Sequence, residues 1–353
     1  MEIGYRSEEY LNFLEGCFQN PVVLVEISSI CNFKCEYCLS RTRSREKCFM
    51  AENLFEHIVK QLPSITNYPV RLHVDGEPTL HPKFYEYGKL LNRLNIPFVL
   101  ATNGSRLSQD LLDLRMEVLI SISTHREEFQ QRTTHIDYNV YIKRVVDYLR
   151  GWLLSDSPQT IYIQVPYYSR QANETYLAQK NEFIQTLEKQ LDIERYTQKN
   201  NYKWLDAEYC YIKPNGHLLV IYKWTISKSQ VYKPRSLFDR RTKKGFCSCP
   251  WQELAILADG RVSFCCMDLT GGTAFTAKQE IWEHSLLELW RDDRLINIRK
   301  NFMNEKIQLK VCQRCLADLS NHTLYLNDHP FDTVFSPKSK DLFPSNSLGC
   351  PRL

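Results

Sequence analysis

The chain has 353 residues, a formal net charge of +4 and 13 cysteines. This length exceeds what one compact core usually serves, so we expect one large domain and a smaller one. The small charge and the lack of a basic, aromatic-rich patch argue against a nucleic-acid partner. No apolar run approaches the ~20 residues that cross a bilayer, and the first residues lack a secretory signal pattern, so we expect a cytoplasmic protein without membrane contact. Because cytoplasmic thiols stay reduced, this many cysteines indicates metal or cluster ligation.

Short apolar runs alternate with amphipathic segments between residues 22 and 224. The runs are VVLVEIS, VRLHV, FVLA, VLISIS and IYIQV. Their length and β-branched content predict strands buried on both faces. The segments AENLFEHIVKQL, KFYEYGKLLNRL and YIKRVVDYLRGWLL predict amphipathic helices between them. This alternation predicts an α/β fold with a parallel sheet, either a partial barrel or an open doubly wound sheet, with a sixth strand in AEYCYI or LLVIYKW.

The composition changes after residue 225. A polar segment predicts a linker, and ELAIL, Asp259-Gly260 and RVSF then predict a two-stranded hairpin. The segment SLLELWRDDRLINIRKNF predicts one helix. The predicted organisation is an N-terminal extension (1–20), a core domain (21–225), a linker (226–245), a cysteine-rich domain (246–330) and a loosely ordered tail (331–353).

The first cysteine motif directly follows the first predicted strand. Cys31, Cys35 and Cys38 have the spacing C-x3-C-x2-C. Three closely spaced thiolates hold three corners of a cubane iron–sulfur cluster, whose usual ligation is four cysteines. The missing ligand leaves one iron open, as a catalytic metal site requires. The alternative is a structural zinc site completed by Cys48 or His73.

Polar residues follow the next three predicted strands. In VDGEPTLHP, Gly76 lets the backbone approach a ligand closely, and Glu77 is an acceptor suited to an ammonium group. Asn103 follows the third strand in LATNGSRL, and Ser123 ends the fourth in SISTH. Each of these residues also fits an ordinary turn or a satisfied core hydroxyl.

The cysteine motif, DGEP and TNG, placed after successive strands, resemble the radical S-adenosylmethionine (radical SAM) superfamily. The resemblance implies a partial (β/α)6 TIM-like barrel in which the open iron of a [4Fe-4S] cluster chelates S-adenosylmethionine. One electron then cleaves the sulfonium, and a 5′-deoxyadenosyl radical removes a hydrogen atom from the substrate. It implies Cys31, Cys35 and Cys38 as cluster ligands and Tyr37, Gly76, Glu77, Asn103 and Ser123 as cofactor contacts. The family motif reads G-G-E-P, and Asp75 replaces its first glycine here.

The second group of cysteines brackets the predicted hairpin. Cys249 and Cys265 have the spacing C-x10-G-x4-C, and Cys312 and Cys315 form C-x2-C after the predicted helix. Four thiolates close either a cubane or a structural zinc site. The pattern resembles the SPASM and twitch domains of radical SAM enzymes, which implies an auxiliary [4Fe-4S] cluster on these four residues.

Two features of this second group qualify the resemblance. The full SPASM pattern continues with cysteines that the segment LADLSNHTLY lacks, so we expect one auxiliary cluster. Cys266 competes with Cys265 as a ligand, and Cys247 competes with Cys249.

The resemblance therefore implies a radical SAM, oxidoreductase-like enzyme that acts on a peptide or a small metabolite, in a net oxidation that uses the auxiliary cluster as electron acceptor. An external one-electron donor such as flavodoxin or ferredoxin is the expected partner. About 30 residues precede Cys31, so we expect no fused leader-peptide-binding domain. The rival hypothesis is a non-enzymatic zinc or iron–sulfur adaptor, for which metal analysis would find zinc without sulfide.

Overall fold

The chain forms two compact units. The computed structural model describes residues 20–35, 38, 45–133, 135–168, 174–193, 207–212, 218–226, 247, 249–266, 270–304 and 306–313. The first unit combines residues 1–29, 42–75 and 233–353, and the second combines 30–41 and 76–232. Nearly all of the predicted extension and linker, and the whole predicted tail, lie outside the described residues, so the domain boundaries stay predictions. Within the described part, no helix is long and apolar enough to cross a membrane.

Nine strands lie in the described part of the chain. They are β1 (Val22–Val25), β2 (Val70–Arg71), β3 (Phe98–Thr102), β4 (Glu117–Ser121), β5 (Thr160–Tyr168), β6 (Ala207–Ile212), β7 (Leu218–Ile226), β8 (Glu253–Ile256) and β9 (Val262–Ser263). Every predicted apolar run overlaps one of these strands, so the predicted α/β fold is confirmed.

The described helices lie between and after these strands. They are α1 (Glu52–Val59), α2 (Phe84–Arg93), α3 (Arg126–Arg132), α4 (Tyr138–Leu154), α5 (Glu174–Leu191), α6 (Cys249–Gln252), α7 (Glu280–Glu283), α8 (Leu286–Trp290) and α9 (Asp293–Met303). Helices α1, α2 and α4 match the three predicted amphipathic segments, whose apolar faces are buried.

In the first unit, the strands lie in the order β2-β1-β8-β9. Strand β1 pairs in parallel with β2, with Leu24 opposite Arg71, and with β8, with Val22 opposite Glu253. Strand β9 pairs antiparallel with β8, which confirms the predicted hairpin. Its turn contains Gly260 at φ +90°, a conformation that favours glycine. The sequence pattern did not indicate that this hairpin would pair with β1.

A buried ion pair holds three segments of the first unit together. Glu26, directly after β1, forms a bidentate pair with Arg45, whose side chain is also buried. Its Oε1 accepts the Asp75 N–H at 3.0 Å, and its Oε2 accepts the Ala258 N–H at 2.9 Å. Burial raises the pKa of Glu26, and the hydrogen bonds with Arg45 and Ala258 oppose that rise. One carboxylate thus fixes the segments that follow β1, β2 and β8.

In the second unit, the strands lie in the order β6-β7-β5-β4-β3. Strands β3, β4, β5 and β7 are parallel, and β6 is antiparallel to β7. The sixth parallel strand is therefore the LLVIYKW segment, and AEYCYI adds an antiparallel strand beside it. Helix α4 buries Trp152, whose Nε1 donates to the Gln159 carbonyl at 2.9 Å.

The prediction of one helix over residues 285–302 is wrong. The segment forms α8 and α9, with a break at residues 291–292. Ser285 and Glu288 form a capping box at the start of α8, and the Asp292 side chain accepts the Arg294 N–H at 2.8 Å. Because an aspartate favours the N-cap position over a helix interior, the second helix begins anew at Asp292.

We expect Arg45→Met to lower the free energy of unfolding by about 3–5 kcal/mol at pH 8, because it leaves the Glu26 carboxylate buried without its partner. The loss should be smaller at pH 5. A buried acid with a raised pKa keeps its proton longer in the folded state, so the cost of burying its charge grows as pH rises from the unfolded-state pKa through the folded-state pKa. Urea denaturation of the parent and the variant at both pH values measures this.

The matched control is Lys143→Met, which removes an exposed pair with Asp147 and should cost less than about 1 kcal/mol. Equal losses in the two variants would contradict a stabilising role for the Glu26–Arg45 pair.

Candidate active site and cysteine centres

The first cysteine motif forms a loop that is bonded to the segment after β2. The Glu77 N–H donates to the Ile30 carbonyl at 2.8 Å, and the Cys38 N–H donates to the Cys35 carbonyl at 3.1 Å. Cys35 is buried, whereas Cys31 and Cys38 are partly exposed. The loop therefore holds the three predicted ligands in the second unit.

The Cys35 and Cys38 side chains lie close enough to Cys31 to contribute to its raised pKa. Burial raises the pKa of Cys31 to about 12, the Phe33 N–H at 3.4 Å opposes this, and Glu77, Cys35 and Cys38 raise it further. Three thiolates here need a positive centre to offset burial and mutual repulsion. Among the described side chains, no three of His, Cys, Asp or Glu converge on one metal ion. A cubane cluster does not need three side chains that converge on one metal ion, because each cysteine ligates a different iron. The three cysteines of the loop therefore fit a cluster.

Glu77 is a buried carboxylate beside this loop that accepts hydrogen bonds from its own turn and from the end of β3. It follows Gly76, which has φ +78°. Its Oε1 accepts hydrogen bonds from Thr79 N at 3.1 Å, Thr79 Oγ1 at 2.6 Å and Thr102 Oγ1 at 2.7 Å. Its Oε2 accepts the Asn103 N–H at 2.6 Å. Three of these donors bond to Oε1 and one bonds to Oε2, so Oε2 keeps capacity to accept a further hydrogen bond. The predicted bond from Glu77 to an ammonium group stays a prediction.

A chain of side-chain amides connects the end of β3 to the cysteine loop. Asn103 Nδ2 donates to Asn32 Oδ1 at 3.0 Å and lies 3.9 Å from Cys31 Sγ. Asn32 Nδ2 donates to Ser105 Oγ at 2.8 Å, and Asn103 Oδ1 accepts the Ser105 N–H at 2.9 Å. The predicted residue Asn103 therefore lies beside the first predicted cluster ligand.

Ser123 lies just beyond β4 and is fully buried. Arg132, the last residue of α3, donates from Nη1 to Ser123 Oγ at 2.6 Å and from Nε to Cys35 Sγ at 3.1 Å. The structure thus connects a predicted cofactor contact to a predicted cluster ligand through a buried guanidinium. Whether Ser123 contacts the cofactor stays a prediction, and Tyr37 lies outside the described residues.

Two residues of this arrangement were not identified from the sequence. Arg132 carries no sequence signal, because a charged residue in an amphipathic segment is ordinarily solvated. Asn32 had one available signal, its position between the first two motif cysteines.

A cavity of about 380 Å³ opens beside the cysteine loop in the second unit. It is lined by Asn32, Ser105, Arg106, His135, Ile136 and Arg144. Arg144 is fixed by a hydrogen bond from its guanidinium to the Ser105 carbonyl. None of these described lining residues is acidic, so the two guanidinium groups favour a negatively charged group in the cavity.

The second cysteine centre lies in the first unit. Cys249 begins α6 and is buried, and its thiol hydrogen-bonds with those of Cys247 and Cys265. These contacts, together with burial, raise the pKa of Cys249. The structure therefore brings together two of the four predicted ligands and adds Cys247.

The two adjacent cysteines after β9 have different partners. The Cys266 N–H donates to Glu253 Oε2 at 3.0 Å, and its thiol donates to Glu253 Oε1 at 3.5 Å. Cys265 is instead the residue whose thiol meets Cys249. Cys312 lies in the helical turn 310–313, partly exposed, and Cys315 lies outside the described residues.

Comparisons with known families agree with both centres. The model of the radical SAM superfamily matches residues 25–151, and the model of the SPASM iron–sulfur cluster-binding domain matches residues 247–316. The chain therefore carries a radical SAM domain and a SPASM domain. The first match contains the cysteine loop and the segments with Glu77 and Asn103, and the second contains the Cys249 centre.

Individual relatives are distant. A GTP 3′,8-cyclase from Actinobacillus pleuropneumoniae is 29% identical over 92 residues, which cover 25% of this chain and 27% of the cyclase. The chain thus matches only about a quarter of that relative's length.

Two solved structures share the fold. Streptococcus suis SuiB bound to precursor peptide SuiA has a TM-score of 0.54 at 15% identity, covering 90% of this chain and 75% of SuiB. The enzyme anSMEcpe with bound AdoMet and Cp18Cys peptide has a TM-score of 0.50 at 17% identity, covering 83% of this chain and 85% of that one.

The two domain matches confirm the expected cofactors and fold class. The radical SAM domain implies S-adenosylmethionine and a [4Fe-4S] cluster, and the SPASM domain implies auxiliary iron–sulfur ligation. The fold class is the α/β partial barrel with a C-terminal SPASM domain.

We expect Cys265→Ala to lose the auxiliary cluster and Cys266→Ala to retain it, because, of these two residues, it is Cys265 that contacts the Cys249 thiol, while Cys266 contacts Glu253. Iron and sulfide in anaerobically reconstituted protein should fall from roughly eight of each per chain to roughly four in Cys265→Ala, since each cubane holds four. Cys266→Ala is the neighbouring control and should match the parent. Loss of iron in Cys266→Ala alone would reverse the assignment.

Proposed function

We propose that the chain is a radical SAM enzyme that cleaves S-adenosylmethionine reductively and removes a hydrogen atom from a peptide or small-metabolite substrate, in a net oxidation. The observation that carries the proposal is the grouping of the three motif thiols beside the polar ends of β3 and β4. When bound, the cluster and S-adenosylmethionine supply a hydrogen-abstracting radical.

The protein's own part is ligation, orientation and exclusion of water. Cys31, Cys35 and Cys38 would hold the first cluster, and Gly76, Glu77, Asn103, Ser123 and Tyr37 would line the cofactor site. The amides of Asn103 and Asn32 fix the loop relative to β3. The burial of Cys35, Glu77 and Ser123 keeps water from this side of the site, which protects a reactive species from side reactions.

The cationic cavity supports a substrate with a negative charge. Its volume of about 380 Å³ lies within the range of small-molecule sites and also admits a single peptide side chain. The relatives include an enzyme solved with a precursor peptide and one named for GTP, so both substrate classes belong to the proposal. Arg106 and Arg144 would contact the charged group, and Asn32, which directly follows Cys31 in the chain, lines the same cavity.

The auxiliary cluster would accept the electron that a substrate radical releases. Cys249, Cys265, Cys312 and Cys315 are its proposed ligands, and the position of Cys247 makes it a further candidate. A flavodoxin or ferredoxin would supply the electron for cleavage.

The decisive test of cofactor cleavage is Cys35→Ala. We expect reduced, reconstituted variant to release no 5′-deoxyadenosine, because a cubane with two cysteines would leave two irons without a protein ligand. The auxiliary cluster should survive, since its ligands lie outside the loop. Cys48→Ala, which replaces a partly exposed cysteine outside the motif, is the control and should cleave at the parent rate. Release of 5′-deoxyadenosine by Cys35→Ala at the parent rate would remove this loop from the reaction.

Net oxidation is tested by replacing Cys312 and Cys315 together with alanine. We expect cofactor cleavage to continue while product formation fails, because the substrate radical would lack its electron acceptor. The measured quantity is the ratio of 5′-deoxyadenosine to product, and circular dichroism checks that the variant is folded. A folded variant with the parent ratio would show that the second centre has a structural role.

A further inference from the structure

A permanently charged guanidinium is buried against one of the proposed cluster ligands. Arg132 is only 3% exposed. Its Nε donates to Cys35 Sγ at 3.1 Å and its Nη1 donates to Ser123 Oγ at 2.6 Å. Burying a charge is costly unless the protein provides partners, so this placement requires a compensating acceptor.

The side chain is held in place from several directions. Its guanidinium carbon lies 5.0 Å from the centre of the Phe33 ring, a cation–π distance. The Arg132 carbonyl accepts the Lys34 N–H at 2.6 Å, which ties the end of α3 to the cysteine loop. Arg132 is therefore held beside Cys35 by contacts with Phe33 and Lys34, the two residues that precede this cysteine in the loop.

The acceptor chemistry matches a ligating thiolate better than a thiol. A thiol sulfur is a weak acceptor, whereas a hydrogen bond from a guanidinium to an ionised group is charge-assisted and roughly twice as strong as a neutral one. Cys35 becomes a thiolate when it binds iron. The contact is therefore strongest in the cluster-loaded protein.

We propose that Arg132 is a positioning residue that raises the reduction potential of the first cluster through its hydrogen bond to Cys35. Hydrogen bonds to the sulfurs and the net charge around a cluster both set its potential. Reduction adds a negative charge to the cluster, so a nearby cation stabilises the reduced form more than the oxidised form. The inference rests on the proposed function, because it needs a cluster on Cys35.

The test compares Arg132→Gln, Arg132→Lys and the parent by redox titration of reconstituted protein. The first cluster is followed through the electron paramagnetic resonance signal that changes when S-adenosylmethionine is added. In Arg132→Gln we expect an about tenfold lower ratio of reduced to oxidised cluster at the parent midpoint, which equals ~59 mV for a one-electron couple. Arg132→Lys keeps the charge and should recover part of the shift.

The control is Arg126→Gln on the same helix. The Arg126 side chain is 46% exposed and bonds to Asn139 Oδ1 at 3.1 Å, so its loss should leave the potential unchanged. Equal iron content in all four proteins shows that the shift does not come from incomplete loading.

The outcomes separate the two claims. An unchanged potential in Arg132→Gln, with the cluster loaded and cofactor cleavage intact, would overturn the role of Arg132 and leave the proposed function standing. If Arg132→Gln loses its cluster, Arg132→Lys decides instead: a potential below that of the parent supports the inference, and a potential equal to or above that of the parent overturns it. A parent that assembles no cluster on the loop would overturn both claims.

Discussion

The second unit depends on the satisfaction of buried polar groups where the strands end. A radical SAM site needs thiolates, a carboxylate and amides in a place that excludes water, and each of these groups is costly to bury without a partner. Glu77 shows the solution, since its carboxylate accepts donors from its own turn and from the end of β3 while its amide holds Ile30. The loop with the cysteines is thereby fixed by the same residues that line the site.

The first unit uses the same principle with full charges. Glu26 and Arg45 form an ion pair inside the unit, and two backbone N–H groups complete the coordination of the carboxylate. A buried ion pair is weak evidence that the protein is more stable than it would be with apolar residues in the same place. Removing one partner of the pair, however, is strongly destabilising. Its specific effect here is to fix three segments that are distant in sequence at one point.

The positions of the strands and helices could be predicted from the sequence better than the pairing of the strands. Short β-branched runs and helical periods predicted the parallel strands and three helices, because burial on both faces leaves a strong pattern. The pairing of β8 with β1 was not predictable, since no local pattern records which strand lies beside another. The break at Asp292 was missed because the apolar period continues across it, while the cap that ends it is a single side chain.

For the site, motif spacing predicted the ligands, and the structure added their surroundings. The choice between Cys265 and Cys266 shows the difference. Both spacings are possible in sequence, but one thiol meets Cys249 while the other meets Glu253. Arg132 could not be predicted from the sequence for a related reason. Its proposed role depends on burial against Cys35, and tertiary packing decides whether a charged residue is buried.

The parallel pairing of β1 with β8 also sets an order of events during synthesis. Val22 lies opposite Glu253, so the two partners are separated by about 230 residues of chain. A ribosome that adds ~5–20 residues per second needs roughly 10–45 s to make that interval. Throughout this time the side of β1 that β8 will cover presents unpaired backbone N–H and C=O groups, which are a template for pairing with other chains. We therefore expect this edge of β1 to be open to mispairing until the hairpin has been synthesised.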